Sequence, residues 1–121
     1  MEGNLPDRGA MLAAISDGIS ALHRERYGRG PTKAKTAMSG DVVTCVLEDI
    51  YTPAEHTLIG AGNFDVVNAS RSAFQDTTRP DLIAIVEEAT RRRVRAFTSQ
   101  VHVDPDLAIE TFILQPNGDG S

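Results

Sequence analysis

The sequence predicts an α+β domain in which two β-hairpins join into one four-stranded antiparallel sheet with helices packed on one face. Three observations predict this fold. Residues 7–26 repeat apolar side chains at helical spacing, residues 32–51 and 94–114 each hold two β-prone runs around a turn, and residues 52–88 carry helix signals. The predicted order is therefore α-β-β-α-α-β-β, because two hairpins that share an edge can bury one side under the helices.

The first helix is predicted to begin at Asp7 and to end near Arg26. Asp7 stands where a side-chain oxygen can accept from the free N–H groups of the first turn. Steps of three and four residues then give the helix one apolar stripe, formed by Leu12, Ile15, Ile19 and Leu22. We therefore expect this helix to bury a single face.

The segment Tyr27-Gly28-Arg29-Gly30-Pro31 separates this helix from the first strand. Its glycines allow positive φ, and its proline cannot continue a helix. The backbone amides and the guanidinium at Arg29 form a candidate site for a phosphate, bicarbonate or carboxylate group. The alternative interpretation is a plain helix stop, because glycines end helices in every fold class and the segment lacks the length and the lysine of a P-loop.

Each hairpin is indicated by two β-prone runs around turn residues, Ser39-Gly40-Asp41 in the first and Asp104-Pro105-Asp106 in the second. The predicted strands are residues 32–38, 42–51, 94–103 and 107–114. With helices on one face only, the other face stays bare. Its candidate lining, subject to the register, is Val43, Cys45, Phe97, Val101 and Phe112. A bare apolar face favours a partner, so we predict a homodimer.

The clearest local signal in the chain opens the helices between the hairpins. Thr52 is the predicted N-cap of a short helix, Pro53 occupies its first helical position, and Glu55 completes a capping box. These three residues have a structural role in this interpretation. The short helix is predicted to break at Gly60-Ala61-Gly62, after which a longer helix runs to about residue 88.

Arg71 lies on the apolar face of this longer helix, beside Phe64, Val67 and Phe74. Burying an arginine alone is costly, so we expect it to be paired. The candidate partners are Glu48, Asp49, Glu55 and Glu110. A structural ion pair is the favoured interpretation and a substrate clamp is the alternative. Farther along, Pro80 predicts a kink or break at residues 77–79, because proline lacks the backbone donor that a helix uses.

Composition restricts the class of protein. The formal net charge of −5 over 121 residues argues against a dedicated nucleic-acid binder. Cys45 is the single cysteine, which excludes an intramolecular disulfide and suits the cytoplasm. No apolar stretch reaches the roughly 20 residues of a transmembrane helix. We expect one domain over residues 7–114 between disordered ends at 1–6 and 115–121, in the cytoplasm or peripherally at a membrane, without direct membrane insertion.

Two basic clusters are candidate surfaces for nucleic acid, anionic lipid or an acidic partner if the sheet brings them together. They comprise Arg24, Arg26, Arg29, Lys33 and Lys35, and Arg91, Arg92, Arg93 and Arg95. Kept apart, they are ordinary solvated surface. The three histidines lack metal-ligand spacing, and no nucleophile elbow occurs. We therefore predict no catalytic residue, no metal and no cofactor.

Spaced short motifs extend over residues 7–114: Tyr27-Gly28-Arg29-Gly30-Pro31, Tyr51-Thr52-Pro53-Ala54-Glu55 with Leu58, Val66-Val67 with Arg71, Ile85-Val86-Glu87-Glu88, and Val94-Arg95-Ala96-Phe97 with Asp104-Pro105-Asp106. As a set, they resemble the MpsC-type family of small bacterial domains of unknown function, named for a Na+-translocating, membrane-potential-generating system. Members commonly carry a glycine after the Glu-Glu segment. This chain has Thr90-Arg91-Arg92-Arg93 there, so its helix must end on a non-glycine residue or with a different geometry.

The resemblance implies a link to ion or inorganic-carbon uptake and supplies no catalytic residues. We therefore expect a non-enzymatic accessory or regulatory module that binds another protein, such as a membrane transport complex. The candidate contacts are the sheet, Arg71 and the turn residues Tyr27, Gly28, Arg29, Gly30 and Pro31. The alternatives are a nucleic-acid-binding protein and a small-anion sensor or enzyme that uses the arginines.

Overall fold

A computed structural model describes residues 7–116, which form three helices and four strands in the predicted order. The elements are α1 (Arg8–Tyr27), β1 (Lys33–Ser39), β2 (Val42–Glu48), α2 (Pro53–Gly60), α3 (Phe64–Thr90), β3 (Val94–His102) and β4 (Leu107–Leu114). Of the ends predicted to be disordered, residues 1–6 and 115–121, the segments 1–6 and 117–121 lie outside the described residues. Within the described range, no helix is both long enough and apolar enough to cross a bilayer.

The two hairpins join into a single four-stranded antiparallel sheet, as predicted, with strand order β1-β2-β4-β3. The join is the pairing of β2 with β4, in which Val43 lies opposite Phe112. Helix α1 packs against β1 and α3, and α3 packs against β3. The apolar side chains between these layers form one core that includes Ile15, Ile19 and Val86.

The predicted lining of the bare sheet face is wrong. Val43, Cys45 and Phe112 are fully buried under the helices, and Phe97 is buried beside them. Val101 pairs with the buried Ala108 and so points to the same side, where it is partly exposed. In these strands, apolar residues occur in both of the alternating sets that point to opposite faces of the sheet. The alternation in the sequence therefore does not show which set is buried. The helices cover one parity and leave the other to solvent.

The uncovered face therefore carries the opposite set of side chains. Its large apolar members lie on the two central strands and are Val42, Val46, Leu107, Ile109 and Ile113. One row across the sheet runs from Lys35 through Val46 and Ile109 to Gln100, because these residues are register partners in successive strands. The face thus has an aliphatic centre and polar side chains on its two edge strands.

Both ends of α1 follow the sequence prediction. The Ala10 N–H donates to Asp7 Oδ1 at 2.7 Å. At the other end, Gly28 adopts a φ of 82°, and its N–H donates to the Arg24 carbonyl at 3.0 Å. This left-handed C-cap is a conformation that glycine adopts without a Cβ clash. The helix is oriented by the burial of its stripe at Ile15, Ile19 and Leu22.

Helix α3 is continuous from Phe64 to Thr90, so of the kink or break predicted at residues 77–79, the break is wrong. Proline removes one backbone hydrogen bond, but packing on both sides of it keeps the helix together. Thr78 before it and Leu82 after it are buried against the rest of the fold. The predicted interruption at Gly60-Ala61-Gly62 is confirmed, because α2 ends at Gly60 and Gly62 has a φ of 86°.

Helix α3 ends on a non-glycine residue, one of the two outcomes expected from its sequence. Arg91 adopts φ 59° and ψ 32°, and its N–H donates to the Glu87 carbonyl at 2.8 Å. Left-handed backbone is unfavourable for a residue with a Cβ, typically by about 1 kcal/mol. The turn into β3 is therefore a strained point of the fold.

We expect Arg91→Gly to raise the free energy of unfolding by about 0.5–1 kcal/mol, because glycine relieves this strain. Urea denaturation at constant pH measures the change as a higher midpoint with an unaltered slope. Arg91→Ala is the matched control, since it removes the same charge and keeps the strain. Equal stability of the glycine and alanine variants would contradict the prediction.

Candidate functional site

The glycine–arginine turn packs against the start of α2. The Arg29 guanidinium donates through Nη1 to the Tyr51 carbonyl at 3.4 Å. A Cβ on Gly30 would lie 2.9 Å from Arg24 Cγ and 3.2 Å from the Ser20 carbonyl oxygen, so glycine lets the turn lie against α1. The Gly28 amide is already bonded to the end of α1. Of the turn residues, Tyr27 and Arg29 are the two that reach toward Arg71 and Tyr51.

Arg71 is 7% exposed and forms a two-pronged ion pair with Glu55. Its Nε donates to Glu55 Oε2 at 2.7 Å and its Nη2 donates to Oε1. Nη2 also donates to the Ile50 carbonyl at 2.7 Å. Among the four partners that the sequence offered, the structure selects Glu55, and the geometry is the fork that guanidinium and carboxylate form best.

The capping box that starts α2 holds Glu55 in place for this pair. The Thr52 N–H donates to Glu55 Oε1 at 2.8 Å, and the Glu55 N–H donates to Thr52 Oγ1 at 3.1 Å, after which Pro53 begins the helix. Burial alone would raise the pKa of Glu55, but the hydrogen bonds from Arg71 and Thr52 outweigh it and hold that pKa below its ordinary value. Glu55 therefore serves the local cap and the long-range pair with one carboxylate.

Two tyrosines enclose the Arg71 guanidinium. Its Cζ lies 3.9 Å from the centroid of the Tyr27 ring and 5.2 Å from that of Tyr51. Both distances are within the range of cation–π contact. Tyr51 is fully buried, and its hydroxyl has no hydrogen-bond partner among residues 7–116. The arginine cluster, defined here as Tyr27, Tyr51, Glu55 and Arg71, thus joins α1, the loop after β2, α2 and α3.

Asp106 holds the loop that carries Tyr51. Its Oδ1 accepts from the Ile50 N–H at 2.9 Å, and its Oδ2 accepts from the Tyr51 N–H at 3.2 Å. His56 Nε2 lies 3.3 Å from the same Oδ2. Asp104-Pro105-Asp106 was expected to act as a turn, and its last residue also fixes a distant segment that the sequence did not point to.

A cavity of about 120 Å³ adjoins the arginine cluster, between α1, α3 and the hairpin of β3 and β4. Polar groups predominate among the residues around it, which are His23, Tyr27, Ile50, Asn68, Arg71, Ser72, Gln75, Ser99, Val101, Ala108 and Glu110. Asn68, Ser72 and Val101 are exposed, so the cavity opens to solvent beside them. Tyr27 and Arg71 are the two sequence-predicted site residues that reach it.

Glu110 is the most unusual group in this cavity. It is 3% exposed, and its Oε2 accepts from Ser99 Oγ at 3.0 Å. Its Oε1 has no hydrogen-bond partner among residues 7–116. Burial raises the pKa of Glu110 from 4.5 to about 7, against the lowering effect of the Ser99 hydrogen bond. The sequence marked Glu110 only as one possible partner of Arg71.

His23 lies on the α1 side of the same cavity and responds in the opposite direction. Burial, aided by the charge of Arg71, lowers the pKa of His23 from 6.5 to about 4. Its imidazole is therefore neutral near pH 7. The sequence gave His23 no role, although its step of four residues from Ile19 marks the inward face of α1.

The two basic clusters lie at diagonally opposite corners of the sheet. Lys33 is in the row that ends at His102, whereas Arg95 adjoins Ala96 in the row that begins at Ser39. Several arginines are also paired with carboxylates: Arg26 with Asp81 and Arg92 with Asp41. The sheet therefore does not combine the clusters into one basic surface. Within residues 7–116, no group of three or more His, Cys, Asp or Glu side chains is placed to hold a metal ion.

We expect Glu55→Gln to lower the free energy of unfolding by about 3 kcal/mol, because it leaves the Arg71 charge buried without a counter-charge. Glutamine can still close the capping box, so the variant isolates the ion pair. Asp81→Asn in the exposed pair with Arg26 is the control and should cost less than about 1 kcal/mol. Chemical denaturation measures both, and similar losses in the two variants would contradict the assignment.

Glu110 and His23 predict opposing pH effects on stability. The raised pKa of Glu110 contributes stability that is present below about pH 4.5 and lost as the pH rises through about 7. The lowered pKa of His23 contributes stability that is present above about pH 6.5 and lost as the pH falls through about 4. Between about pH 4.5 and 6.5, rising pH lowers the free energy of unfolding through Glu110 and raises it through His23. The pH dependence of wild-type stability is therefore smaller than the contribution of either group.

We therefore expect Glu110→Gln to be more stable than wild type by about 3 kcal/mol at pH 8, since one pKa unit is worth about 1.4 kcal/mol. The advantage should shrink toward zero near pH 4.5, where the wild-type carboxyl is protonated. Unfolding free energies at several pH values measure this difference. Glu88→Gln, at an exposed position of α3, makes the same substitution and is the matched control. A flat difference for Glu110→Gln would refute the burial effect.

Comparisons with known proteins agree with the resemblance in the motifs. Residues 7–116 match the family described as "Na+-translocating membrane potential-generating system (MpsC)". The chain is also 26% identical over 91 residues to the uncharacterized protein YbcI of Bacillus subtilis (strain 168), covering 74% of this chain and 73% of that protein. No solved structure matches the chain. Since the match takes in both hairpins and all three helices, this chain belongs to the MpsC family.

Proposed function

We propose that this chain is a non-enzymatic accessory module that binds protein through the uncovered face of its sheet. The first occupant of that face is a second copy of the chain, in a homodimer. The further partner is a component of a membrane ion-transport system, on its cytoplasmic side. The observation that carries the proposal is the aliphatic centre of the uncovered face, where Val42 and Ile109 are 38% and 37% exposed.

The chemistry of this face is that of a protein interface. Val46 and Ile109 are register partners in the two central strands, and Lys35 and Gln100 flank them on the edge strands. Specific interfaces have the same arrangement, with apolar side chains in the middle and polar side chains around them. A second copy presents an identical centre, so a twofold axis through the middle of the sheet brings apolar groups together.

The size of the face indicates a reversible dimer. Four strands about 4.8 Å apart and about seven residues long cover roughly 450 Å². Two copies would therefore bury roughly 900 Å², which is near the lower limit for a specific interface. A weak dimer can release the same face to another protein, which suits an accessory role.

The family description supports the link to transport. It names a Na+-translocating, membrane-potential-generating system, and the match covers residues 7–116. The arginine cluster fits a non-enzymatic module, because Arg71 is satisfied by Glu55 and Ile50 and has a stabilising role. The separated basic clusters give no particular support to nucleic-acid binding.

We expect Val46→Glu to weaken the dimer at least roughly tenfold, because each interface would then bury two unpaired carboxylates. Sedimentation equilibrium over a wide range of protein concentration measures the change. Val66→Glu is the matched control, since Val66 is 57% exposed on α3 and lies away from the uncovered face. A wild-type chain that stays monomeric at the highest concentration, or equal effects of the two variants, would refute the dimer.

The partner can be tested in the native cells. Tagged wild-type chain, recovered after mild lysis, should bring down an identified membrane-transport component, and the Val46→Glu variant should not. Val66→Glu should behave as wild type. Recovery of the free chain alone would contradict the accessory role while leaving the dimer result unchanged.

A further inference from the structure

The cavity beside the arginine cluster contains a carboxylate that the fold only half satisfies. Glu110 is 3% exposed, and among residues 7–116 its Oε1 has no partner. A buried acceptor without a donor is costly, and in native proteins such a group is normally met by a ligand or by ordered water. Glu110 is one of the residues that line a cavity of about 120 Å³, and this cavity opens to solvent.

The charges around the cavity leave one negative charge unbalanced when Glu110 is ionised. Arg71 from α3 faces the cavity, and its fork with Glu55 gives the pair no net charge, although the guanidinium lies near enough to lower the pKa of His23. From α1, His23 is neutral because burial and Arg71 lower its pKa to about 4. Tyr27, the other titratable residue of α1 that lines this cavity, carries no charge near pH 7, and β3 contributes the neutral Ser99. Arg26 of α1 lines an adjoining pocket with Glu110 and is paired with Asp81. From β2, Cys45 is the register partner of Glu110, and burial raises the pKa of its thiol, so it is neutral as well.

The remaining polar groups around the cavity can each accept or donate a hydrogen bond. Asn68, Ser72 and Gln75 project from successive turns of α3 and supply amide and hydroxyl oxygens near the opening. A volume of about 120 Å³ holds about four water-sized groups, at about 30 Å³ each. This space is too small to enclose a nucleotide or a peptide. A metal ion is disfavoured because Glu110 is the single carboxylate that lines the cavity.

We propose that this cavity binds a small organic cation, a primary ammonium or guanidinium group whose N–H donors reach Glu110 Oε1. The cation supplies the missing donor and balances the charge in the same step. The site lies on the helix-covered side of the sheet, so it is separate from the face proposed for protein binding. A small molecule bound in this cavity would leave the surface proposed for protein contacts free.

Binding by the ionised carboxylate makes the affinity pH-dependent. Since the empty site holds the pKa of Glu110 at about 7, a cation must displace a proton at lower pH. The affinity should be roughly tenfold weaker at pH 6 than at pH 8, following the ionised fraction of Glu110. The other titratable groups that face the cavity, His23, Tyr27 and Arg71, keep their charge over this interval.

Amide NMR spectra recorded with methylammonium and guanidinium at millimolar concentration test the proposal, with sodium chloride at equal ionic strength as the reference. We expect saturable shifts at Ser99 and Glu110 at pH 8 and weaker binding at pH 6. Acetate and inorganic phosphate are the anionic probes and should cause none. Saturation by an anion, or no saturable shift with either cation, would overturn the proposal.

Two variants separate binding from folding. Glu110→Gln should abolish the cation-dependent shifts, while its own spectrum and thermal melt at pH 8 report that it is folded. Glu88→Gln, exposed on α3, makes the same substitution elsewhere and should bind as wild type. Cation shifts that persist in Glu110→Gln would assign them to another site and refute the proposal. Neither variant changes the uncovered face, so the dimer test is independent of this one.

Discussion

The ion pair between Arg71 and Glu55 is the interaction on which the connections between the elements depend. The Arg71 guanidinium contacts the start of α2 through Glu55, the loop after β2 through the Ile50 carbonyl, and α1 through the Tyr27 ring. A charge in this position needs a complete set of partners, because an unpaired buried ion is strongly destabilising. The fold supplies them with one carboxylate that the capping box has already oriented. The capping box therefore orients the carboxylate of the ion pair, and the ion pair joins the start of α2 to α3.

Glu110, which lines the same cavity as Arg71, has no such set of partners. Ser99 satisfies one of its oxygens and the other is left without a donor among the described residues. A carboxylate in such a position lowers stability when it is ionised, so a valine or leucine there would give a simpler core. A buried group that lowers stability when no ligand is bound is a candidate functional residue. The cavity that it lines opens to solvent, which would give a ligand access to it.

The sheet separates two kinds of surface. On one side, α1 and α3 cover Val43, Cys45 and Phe112 and form the core and the cavity. On the other, Val42, Val46, Ile109 and Ile113 are left uncovered by the helices of residues 7–116. A four-stranded sheet with a single helical layer has this asymmetry by construction. The protein contact and the small-molecule site proposed above lie on opposite sides of the sheet, so they would not compete for one surface.

Local sequence determined the elements, because caps and turns act over a few residues: Asp7 and Gly28 bound α1, and Thr52 with Glu55 starts α2. Tertiary structure decided what depends on distant partners. The register that buries Val43 rather than Val42 follows from which parity the helices cover, and packing around Thr78 and Leu82 carries α3 through Pro80. The sequence offered four partners for Arg71, and the approach of α3 to the capping box selected one. It could not single out Glu110, since the burial of a lone carboxylate is a property of the assembled layers and not of its neighbours in the chain.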